Sequence, residues 1–148
     1  MEYREAAPEG RMLETLIELS EDWERENITY EYQKNEPEDV TDKRVFVAEE
    51  NGEVVAFLLG HTEGSKNRSS IIPDGAPCFW VDELYVTKPY RGRGIGRELL
   101  ARAEGTAKME GAAAILLVAT AKNYRPLLHF YIDEVGLDFF SAILFRRL

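Results

Sequence analysis

A glycine-rich, basic turn joins an apolar run to a helical pattern near the middle of this sequence. The stretch KPYRGRGIGRELL, residues 88–100, follows the apolar run CFWVDELYV and holds four cationic side chains and three glycines in its first ten positions. The apolar run predicts a buried strand over 78–86. The pattern from Ile95 to Glu110, stopped by Gly111, predicts a helix. The chain must therefore pass from strand to helix through a short glycine turn.

That turn has the physical properties of an anion site. The N-terminus of a helix offers unpaired backbone N–H groups and the positive end of the helix dipole, and glycines let a bulky anion come close to the backbone. The joint therefore predicts a cradle for a pyrophosphate. A P-loop would require Gly-Lys-Ser/Thr at its end, and a dinucleotide fingerprint would require glycine where Arg97 stands. Nucleotide hydrolysis and hydride transfer are accordingly disfavoured.

The remaining elements follow from periodicity and turn residues. Two β-rich runs flank Asn51-Gly52, a dipeptide that tolerates the positive φ of a tight hairpin turn. The continuously apolar run AAILLVAT fits the interior of a sheet that is covered on both faces. The order βααβββαβαβ predicts one α/β (α+β) domain over residues 1–148, a mixed sheet with helices on both faces. Besides the two elements above, the predicted elements are a strand at 1–6, helices at 8–26 and 28–35, strands at 44–50 and 53–61, a loop at 62–77, a strand at 113–120, a helix at 126–135 and a strand at 139–148.

Composition narrows the class of partner. The net charge is −9, but residues 1–50 hold 16 acids and 6 bases, so the acidity is concentrated in the N-terminal third. A broad basic face is missing, which argues against nucleic acid and anionic membranes as partners. No apolar stretch is long enough to span a bilayer, and the single cysteine, Cys78, cannot form an internal disulfide. A single cysteine favours a reducing, cytoplasmic compartment. We also expect no metal site, because the two histidines and the cysteine stand far apart in the sequence.

The glycine turn and its flanks resemble the GCN5-related N-acetyltransferases (GNAT). Their signature Gln/Arg-x-x-Gly-x-Gly/Ala is matched by RGRGIG at 91–96, VDELYVTKPYRGRGIGRELL looks like their strand-turn-helix unit, and HFYIDEVGL looks like a later segment of the family. The resemblance implies a mostly antiparallel sheet whose fourth and fifth strands splay apart, with acetyl-CoA in the gap. It further implies that the cofactor is held by Leu84, Tyr85, Val86, Arg91, Gly92, Arg93, Gly94, Ile95, Gly96 and Arg97.

One position departs from the family pattern. The family places an asparagine seven residues before its tyrosine, where it contacts the pantetheine arm, but Tyr124 occupies that place here and Asn123 comes one residue earlier. Either a bulge restores Asn123 to the cofactor, or the contact is lost and Tyr124 or Arg125 replaces it.

The resemblance also implies the reaction, which is attack of a neutral amine on the thioester carbonyl. Tyr131 matches the general-acid tyrosine of the family, and the backbone N–H of Val86 is a candidate oxyanion donor. Strand alternation predicts that Asp82 and Glu83 point to opposite faces, so only one of them can serve as the base. Asp82 is favoured as the base, because polyamine acetyltransferases of the family direct an acid at the acceptor from a strand position that alternates in step with Asp82. Glu83 is the second candidate.

The sequence constrains the acceptor substrate less than the cofactor or the reaction. The acidic stretch SEDWERENITYEY predicts a small polycationic amine, a polyamine or an aminoglycoside-like compound, bound by Glu21, Asp22, Trp23, Glu26 and Asp82. A protein or peptide acetyltransferase and a non-catalytic acetyl-CoA-binding module stay open as alternatives. A homodimer is a further expectation, because dimers are common in the family.

Overall fold

A five-stranded sheet forms the centre of the fold in a computed structural model that describes all 148 residues. Neighbouring strands pair antiparallel in the order β1-β2-β3-β4-β5, except that β4 and β5 are parallel. This confirms the predicted mixed, mostly antiparallel sheet. The hairpin at Asn51-Gly52 is present, with both residues at positive φ. The strands are β1 (Glu2–Ala6), β2 (Arg44–Glu50), β3 (Glu53–Gly64), β4 (Pro77–Val86) and β5 (Ala114–Leu117).

Helices cover both faces of the sheet, as predicted. The helices are α1 (Gly10–Glu26), α2 (Pro37–Val40), α3 (Ile95–Met109) and α4 (Tyr124–Leu128), and α4 continues into a π-helical turn at His129–Glu134. Ile95, Leu99 and Ala103 of α3 pack with Phe79 and Val81 of β4 into one core. A second core on the opposite face joins α1 and α2 to the sheet through Leu16, Leu19, Val40, Phe57 and Tyr85. No helix is both long enough and apolar enough to cross a membrane.

A β-bulge in β4 changes which side chains share a face. Leu59 of β3 pairs with Glu83 and the next residue, Gly60, pairs with Val81, so Asp82 is an extra residue in β4. Val81 packs in the α3 core and Leu84 packs against it, although these two residues are an odd number of positions apart. Regular alternation would place them on opposite faces. The bulge therefore turns Asp82 and Glu83 to the same side, the side of α1 and α2, and the prediction of opposite faces is wrong.

The second predicted helix, at 28–35, is also wrong. Residues 28–36 contain no helix, and α2 begins instead at Pro37, where Glu36 and Asp39 form a capping box. Asn27 and Glu31 both adopt left-handed backbone conformations, which interrupt a right-handed helix. The irregular path lets the ring of Tyr32 fold back on Trp23 of α1.

Two predictions near the C-terminus need correction. The strand predicted at 113–120 is only four residues long and lies at the edge of the sheet rather than in its interior. The strand predicted at 139–148 does not form, and residues 138–148 make no backbone–backbone hydrogen bond. A strand needs a neighbouring strand to satisfy its N–H and C=O groups, and no other strand lies beside this segment in the single chain.

Candidate active site

A gap opens between β4 and β5 where their pairing ends. The parallel ladder joins only Cys78–Val81 to Ala114–Leu117, whereas β4 runs on to Val86. The N–H of Thr87 donates to the carbonyl of Val55, and this bond sets the phase of the β3–β4 ladder. Hydrogen-bonded pairs alternate along an antiparallel ladder, so the N–H and C=O groups of Thr87 and Tyr85 face β3. The N–H and C=O groups of Leu84 and Val86 therefore point away from β3, into the gap. The side of β4 predicted to carry the acyl arm thus presents the N–H groups of Leu84 and Val86 and the carbonyl of Leu84, whereas the carbonyl of Val86 accepts a bond from Arg91.

The glycine turn, residues 91–96, stands at the end of this gap and has the open backbone expected of the predicted anion cradle. Gly92 and Gly94 have φ of 79° and 80°, and no neighbouring atom lies within 4 Å of the place where a Cβ would stand. Gly94 is the N-cap of α3 and no side chain caps that terminus, so its first N–H groups are open. Gly96 packs against β4: a Cβ there would lie 3.7 Å from Val86 Cγ2. These features fit a pyrophosphate held on backbone N–H groups.

The three arginines of the turn divide into two kinds. Arg91 turns away from the cradle and donates to both carboxylate oxygens of Glu26 at 2.8 and 2.7 Å, and also to the carbonyl of Val86 at 2.8 Å. Tyr85 donates to the same carboxylate at 2.5 Å, and although burial opposes the effect, the bonds from Arg91 and Tyr85 lower the pKa of Glu26. Arg93 and Arg97 are exposed at the cradle and belong to no ion pair.

Glu83 is the most perturbed carboxyl group near the gap. Burial raises its pKa from 4.5 to about 7, against hydrogen bonds that favour the charged form. Both bonds end on the same oxygen: Tyr32 donates to Oε1 at 3.0 Å and the amide of Asn35 donates to it at 2.9 Å. The other oxygen, Oε2, accepts no hydrogen bond from the protein. A half-buried carboxyl with one free oxygen and a pKa near neutrality can accept a proton from a substrate.

Asp82 lies on the same side of the sheet but has a different environment. It is exposed, and its Oδ2 lies 2.6 Å from Nδ1 of His61 and 3.4 Å from Nζ of Lys43. Two cationic or proton-sharing partners therefore occupy one of its oxygens. The bulge places this cluster next to Glu83, and the negative charge of Asp82 contributes to the raised pKa of Glu83.

Tyr131 occupies the π-helical turn and is buried in the α3 core beside Phe130. Burial alone raises its pKa to about 12, so the phenol is protonated at neutral pH. The carbonyl of Tyr131 accepts a hydrogen bond from the N–H of Leu137, which fixes the turn after α4. Asn123 is the exposed N-cap of α4, and its side chain makes no capping bond.

The acidic residues of the predicted acceptor site are mostly engaged by cations of the chain itself. Glu21 pairs with Lys34, Asp22 with Arg25, and Glu26 with Arg91. Trp23 instead forms a stack of three rings, with Tyr32 at 4.0 Å and Tyr85 at 5.3 Å between ring centroids. This stack covers the side of β4 on which Glu83 lies, because Tyr32 both stacks on Trp23 and donates to Glu83.

Several contacts of the site carry no local signal in the sequence. Asn35 is held by a bond from its backbone N–H to the hydroxyl of the buried Ser20, and it reaches Glu83 from 48 positions away. Likewise His61 reaches Asp82 only because β3 pairs with β4. The structure contains no group of three or more His, Cys, Asp or Glu side chains that could hold a metal ion.

Comparison with known proteins agrees with this geometry. The sequence matches the acetyltransferase (GNAT) family over residues 11–136. Among solved structures it is similar to the BH1408 protein of Bacillus halodurans (tetramutant; 19% identity, TM-score 0.75, 100% of each chain covered), to the aminoglycoside N-acetyltransferase AAC(6')-Iy in complex with CoA (15%, 0.72, 99% of this chain and 98% of that one) and to a ribosomal-protein-alanine N-acetyltransferase of Brucella melitensis (14%, 0.71, 99% and 100%). No curated protein matches the sequence.

The family match defines the class of protein, an acetyltransferase. The family match covers most of the sequence, and the chain belongs to the acetyltransferase (GNAT) family. It is therefore an N-acetyltransferase that uses acetyl-CoA, and the predicted family, fold class and type of enzyme are confirmed. At identities below 20% the solved structures establish the fold and leave the acceptor undetermined.

Proposed function

We propose that this protein transfers the acetyl group of acetyl-CoA directly to a primary amine of a small cationic acceptor, with Glu83 as the general base. The observation that carries the proposal is the carboxyl of Glu83, which combines a pKa of about 7, one unbonded oxygen and a cover of aromatic rings next to the open edge of β4. A base of this pKa is half ionised at neutral pH and can accept a proton from an ammonium group.

The cofactor would be held by backbone groups more than by side chains. Acetyl-CoA supplies the thioester, whose carbonyl carbon is the electrophile. The N–H groups at the start of α3 and the glycines of the cradle would bind its pyrophosphate, with Arg93 and Arg97 as free cations beside it. Leu84 and Val86 would bind the acyl arm through the groups that face the gap. Arg91 acts differently: by bonding Glu26 and the Val86 carbonyl it fixes the cradle to α1 and β4.

Each chemical step has a residue suited to it. Glu83 takes a proton from the acceptor ammonium, and the neutral amine attacks the thioester carbonyl. The N–H of Val86 stabilises the negative charge that develops on the carbonyl oxygen. Tyr131, protonated at neutral pH, gives its proton to the CoA thiolate as the C–S bond breaks, since a phenol buried without a competing partner has its proton available. The nitrogen of the adduct gives up its second proton in the same collapse, and this proton restores the phenol of Tyr131, so that the products are the neutral amide and the CoA thiol.

Direct attack is favoured over an acetyl-cysteine intermediate. Cys78 is fully buried at the start of β4, and its thiol donates to the carbonyl of Ala76 at 3.5 Å. It lies six positions before Leu84, and buried cysteines are poor nucleophiles. Initial-rate measurements with both substrates varied should therefore give intersecting lines in double-reciprocal plots. Parallel lines would indicate a covalent intermediate and contradict direct attack.

A cationic acceptor is favoured by the aromatic stack and the carboxylates beside it, more than by the acidic surface of α1. Tyr32, at the end of the stack, can offer its outer ring face to an ammonium group, and Glu83 and Asp82 supply negative charge on the same side of the sheet. Because the acids of α1 are paired with cations of the chain, their field at the acceptor site is weakened. Similarity in fold to an aminoglycoside acetyltransferase agrees with this substrate class.

The deciding experiment is a screen of acceptors by release of CoA thiol, read with a thiol reagent. Cys78 is buried and should give little background. Polyamines and aminoglycosides should be the best acceptors, ahead of neutral amines and of peptides with a free N-terminal alanine. Turnover of the peptides alone would replace the small-molecule acceptor with a protein, and tight acetyl-CoA binding without turnover of any amine would make the protein a binding module.

A further inference from the structure

Glu26, the last residue of α1, is bonded to two partners inside the protein. Its Oε2 accepts bonds from the hydroxyl of Tyr85 at 2.5 Å and from Nη2 of Arg91 at 2.7 Å. Its Oε1 accepts a third bond, from Nη1 of Arg91, at 2.8 Å. Both oxygens are therefore occupied, and the guanidinium balances the charge of the carboxylate. This geometry suits a role inside the protein better than contact with an acceptor.

Tyr85 extends this connection from the cofactor turn to the acceptor side. It is only 5% exposed, and burial and the bond to Glu26 raise its pKa, so the hydroxyl keeps its proton and acts as a donor. Its ring stacks on Trp23, which stacks in turn on Tyr32. Tyr32 donates to Glu83 at 3.0 Å. An unbroken series of contacts thus leads from the cofactor turn to the proposed base.

We propose that Glu26 is a positioning residue, which holds the stack of three rings beside Glu83 by accepting the hydrogen bond of Tyr85. The inference rests on the proposed function and adds to it the group that fixes the surroundings of the base. The polar and charged groups that act on Glu83 are Tyr32, Asn35, Asp82 and Asp39 of α2. Of these, Tyr32 is the group that the ring stack connects to Glu26.

The hydroxyl of Tyr85 explains how the loss of Glu26 would reach Glu83. Without Glu26 this buried donor has no acceptor, which is costly, so the ring turns toward water or another acceptor and the stack on Trp23 loosens. Water that then reaches Glu83 favours the ionised carboxylate and lowers its pKa. A phenylalanine at position 85 has no donor to satisfy, so it can keep its place in the stack even when Glu26 is absent.

The first test measures the pKa of Glu83 directly, by carbon-13 NMR titration of its carboxyl signal. That signal is identified by its absence in Glu83→Gln. Glu26→Ala should lower the pKa by about one pH unit from its value of about 7. The double variant Glu26→Ala, Tyr85→Phe should return it most of the way. Both variants lack the charge of Glu26, so the difference between them reports the contact through Tyr85 and not a charge acting through space.

Glu18→Ala is the matched control for this titration. Glu18 is another acid of α1 that pairs with an arginine, Arg11, but its side chain is 59% exposed, and its loss should leave the pKa of Glu83 unchanged. Circular dichroism and the melting temperature show whether each variant is folded. An E26A protein with the natural pKa at Glu83, or equal pKa values in E26A and the double variant, would overturn the proposal.

A second variant does not depend on the folding of E26A. Trp23→Leu removes the middle ring of the stack, keeps the net charge and leaves the bonds between Glu26, Tyr85 and Arg91 in place. It should also lower the pKa of Glu83, because Tyr32 loses the ring that holds it. A folded W23L protein in which Glu83 titrates as in the natural protein would contradict the proposed role of the stack.

Kinetics separate this inference from the proposed function. If Glu83 is the base, the acid limb of kcat/KM in E26A should move to lower pH by as much as the pKa measured by NMR. A pKa that moves while the limb stays would refute Glu83 as the base, and the hold of Glu26 on Glu83 would stand. Direct contact of Glu26 with the acceptor predicts instead that E26A raises KM for polyamines far more than for monoamines, without recovery in the double variant, and this result would overturn the positioning role.

Discussion

Replacing Glu83 with glutamine separates the chemistry of this carboxyl from its packing. Tyr32 and Asn35 both donate to Oε1, so the carbonyl oxygen of a glutamine can accept both bonds while its NH₂ group takes the place of Oε2. The change therefore removes the basic group and keeps the shape of the site. Few residues of the site can lose their functional group with so little change in shape.

The expected loss of activity follows from the role of a general base. Such a base contributes about 100- to 10,000-fold to the rate, so E83Q should lower kcat/KM for the amine by a factor in that range. Since the pKa of Glu83 is about 7, kcat/KM of the natural protein should rise with pH through neutrality, and about one molecule in ten should carry the ionised base at pH 6. E83Q should lack this limb of the profile. The assay is CoA release at a series of pH values with one acceptor.

The E83Q protein should lose activity but gain thermal stability above neutral pH. The unfolded chain ionises Glu83 near 4.5 and the folded chain near 7, so the folded state binds an extra proton in between and loses stability as the pH rises through that window. The difference corresponds to at most about 3 kcal/mol against the ionised form, less where water reaches the carboxyl. Above pH 7 E83Q should therefore unfold at a higher temperature than the natural protein, and near pH 4.5 the two should agree.

Asp82→Asn is the control for this pair of measurements. Asp82 lies next to Glu83 on the same side of the sheet but is exposed and bonded to His61, so its loss should lower the activity far less than the loss of Glu83. An E83Q protein that is folded and keeps the activity and the pH profile of the natural protein would refute Glu83 as the base. A large loss in D82N with little loss in E83Q would assign the role to Asp82.

Three further outcomes test other parts of the site. Gly94→Glu should abolish the rise in melting temperature that CoA produces, because it places a side chain and a negative charge at the anion cradle, while Gly105→Glu, in the middle of α3, should keep it. Normal CoA binding by the Gly94 variant would move the cofactor site elsewhere. Tyr131→Phe should lower kcat about 100-fold or more with little change in the KM for acetyl-CoA, since only a proton donor is lost; equal kcat would leave Tyr131 a packing role. Finally, kcat/KM for the best polyamine should fall as the salt concentration is raised. The reason is that screening shortens the reach of the charges of Glu83 and Asp82 to about 8 Å at physiological ionic strength. A kcat/KM that does not change with salt would contradict a cationic acceptor.

The sequence predicts best what depends on near neighbours in the chain. The strand, glycine turn and helix from Pro77 to Met109 form within a few residues of the predicted bounds, because apolar runs, positive-φ glycines and a helix pattern are local signals. The Asn51-Gly52 hairpin is predictable for the same reason. The helix predicted at 28–35 fails because tertiary contacts decide that segment: Tyr32 stacks on Trp23 and reaches Glu83, and this requires an irregular backbone.

The pairs that set the chemistry of the site are distant in sequence. Arg91 bonds to Glu26 across 65 positions, and Asn35 reaches Glu83 across 48. No periodicity or motif in a single sequence encodes such contacts. A favourable strand composition at 139–148 likewise cannot show whether a partner strand exists, because pairing is a property of the assembled sheet.

The bulge at Asp82 connects these observations. A regular β4 would turn one of the two neighbouring acids toward α3, where a charge would lie against the apolar core around Leu99 and Phe79. By inserting one extra residue, the chain keeps Val81 and Leu84 in that core and presents Asp82 and Glu83 together on the acceptor side. Burial on that side raises the pKa of Glu83, and the neighbouring charge of Asp82 adds to the effect. A single irregularity in the strand thus preserves the packing of the sheet and places Glu83 where it can act as a base at neutral pH.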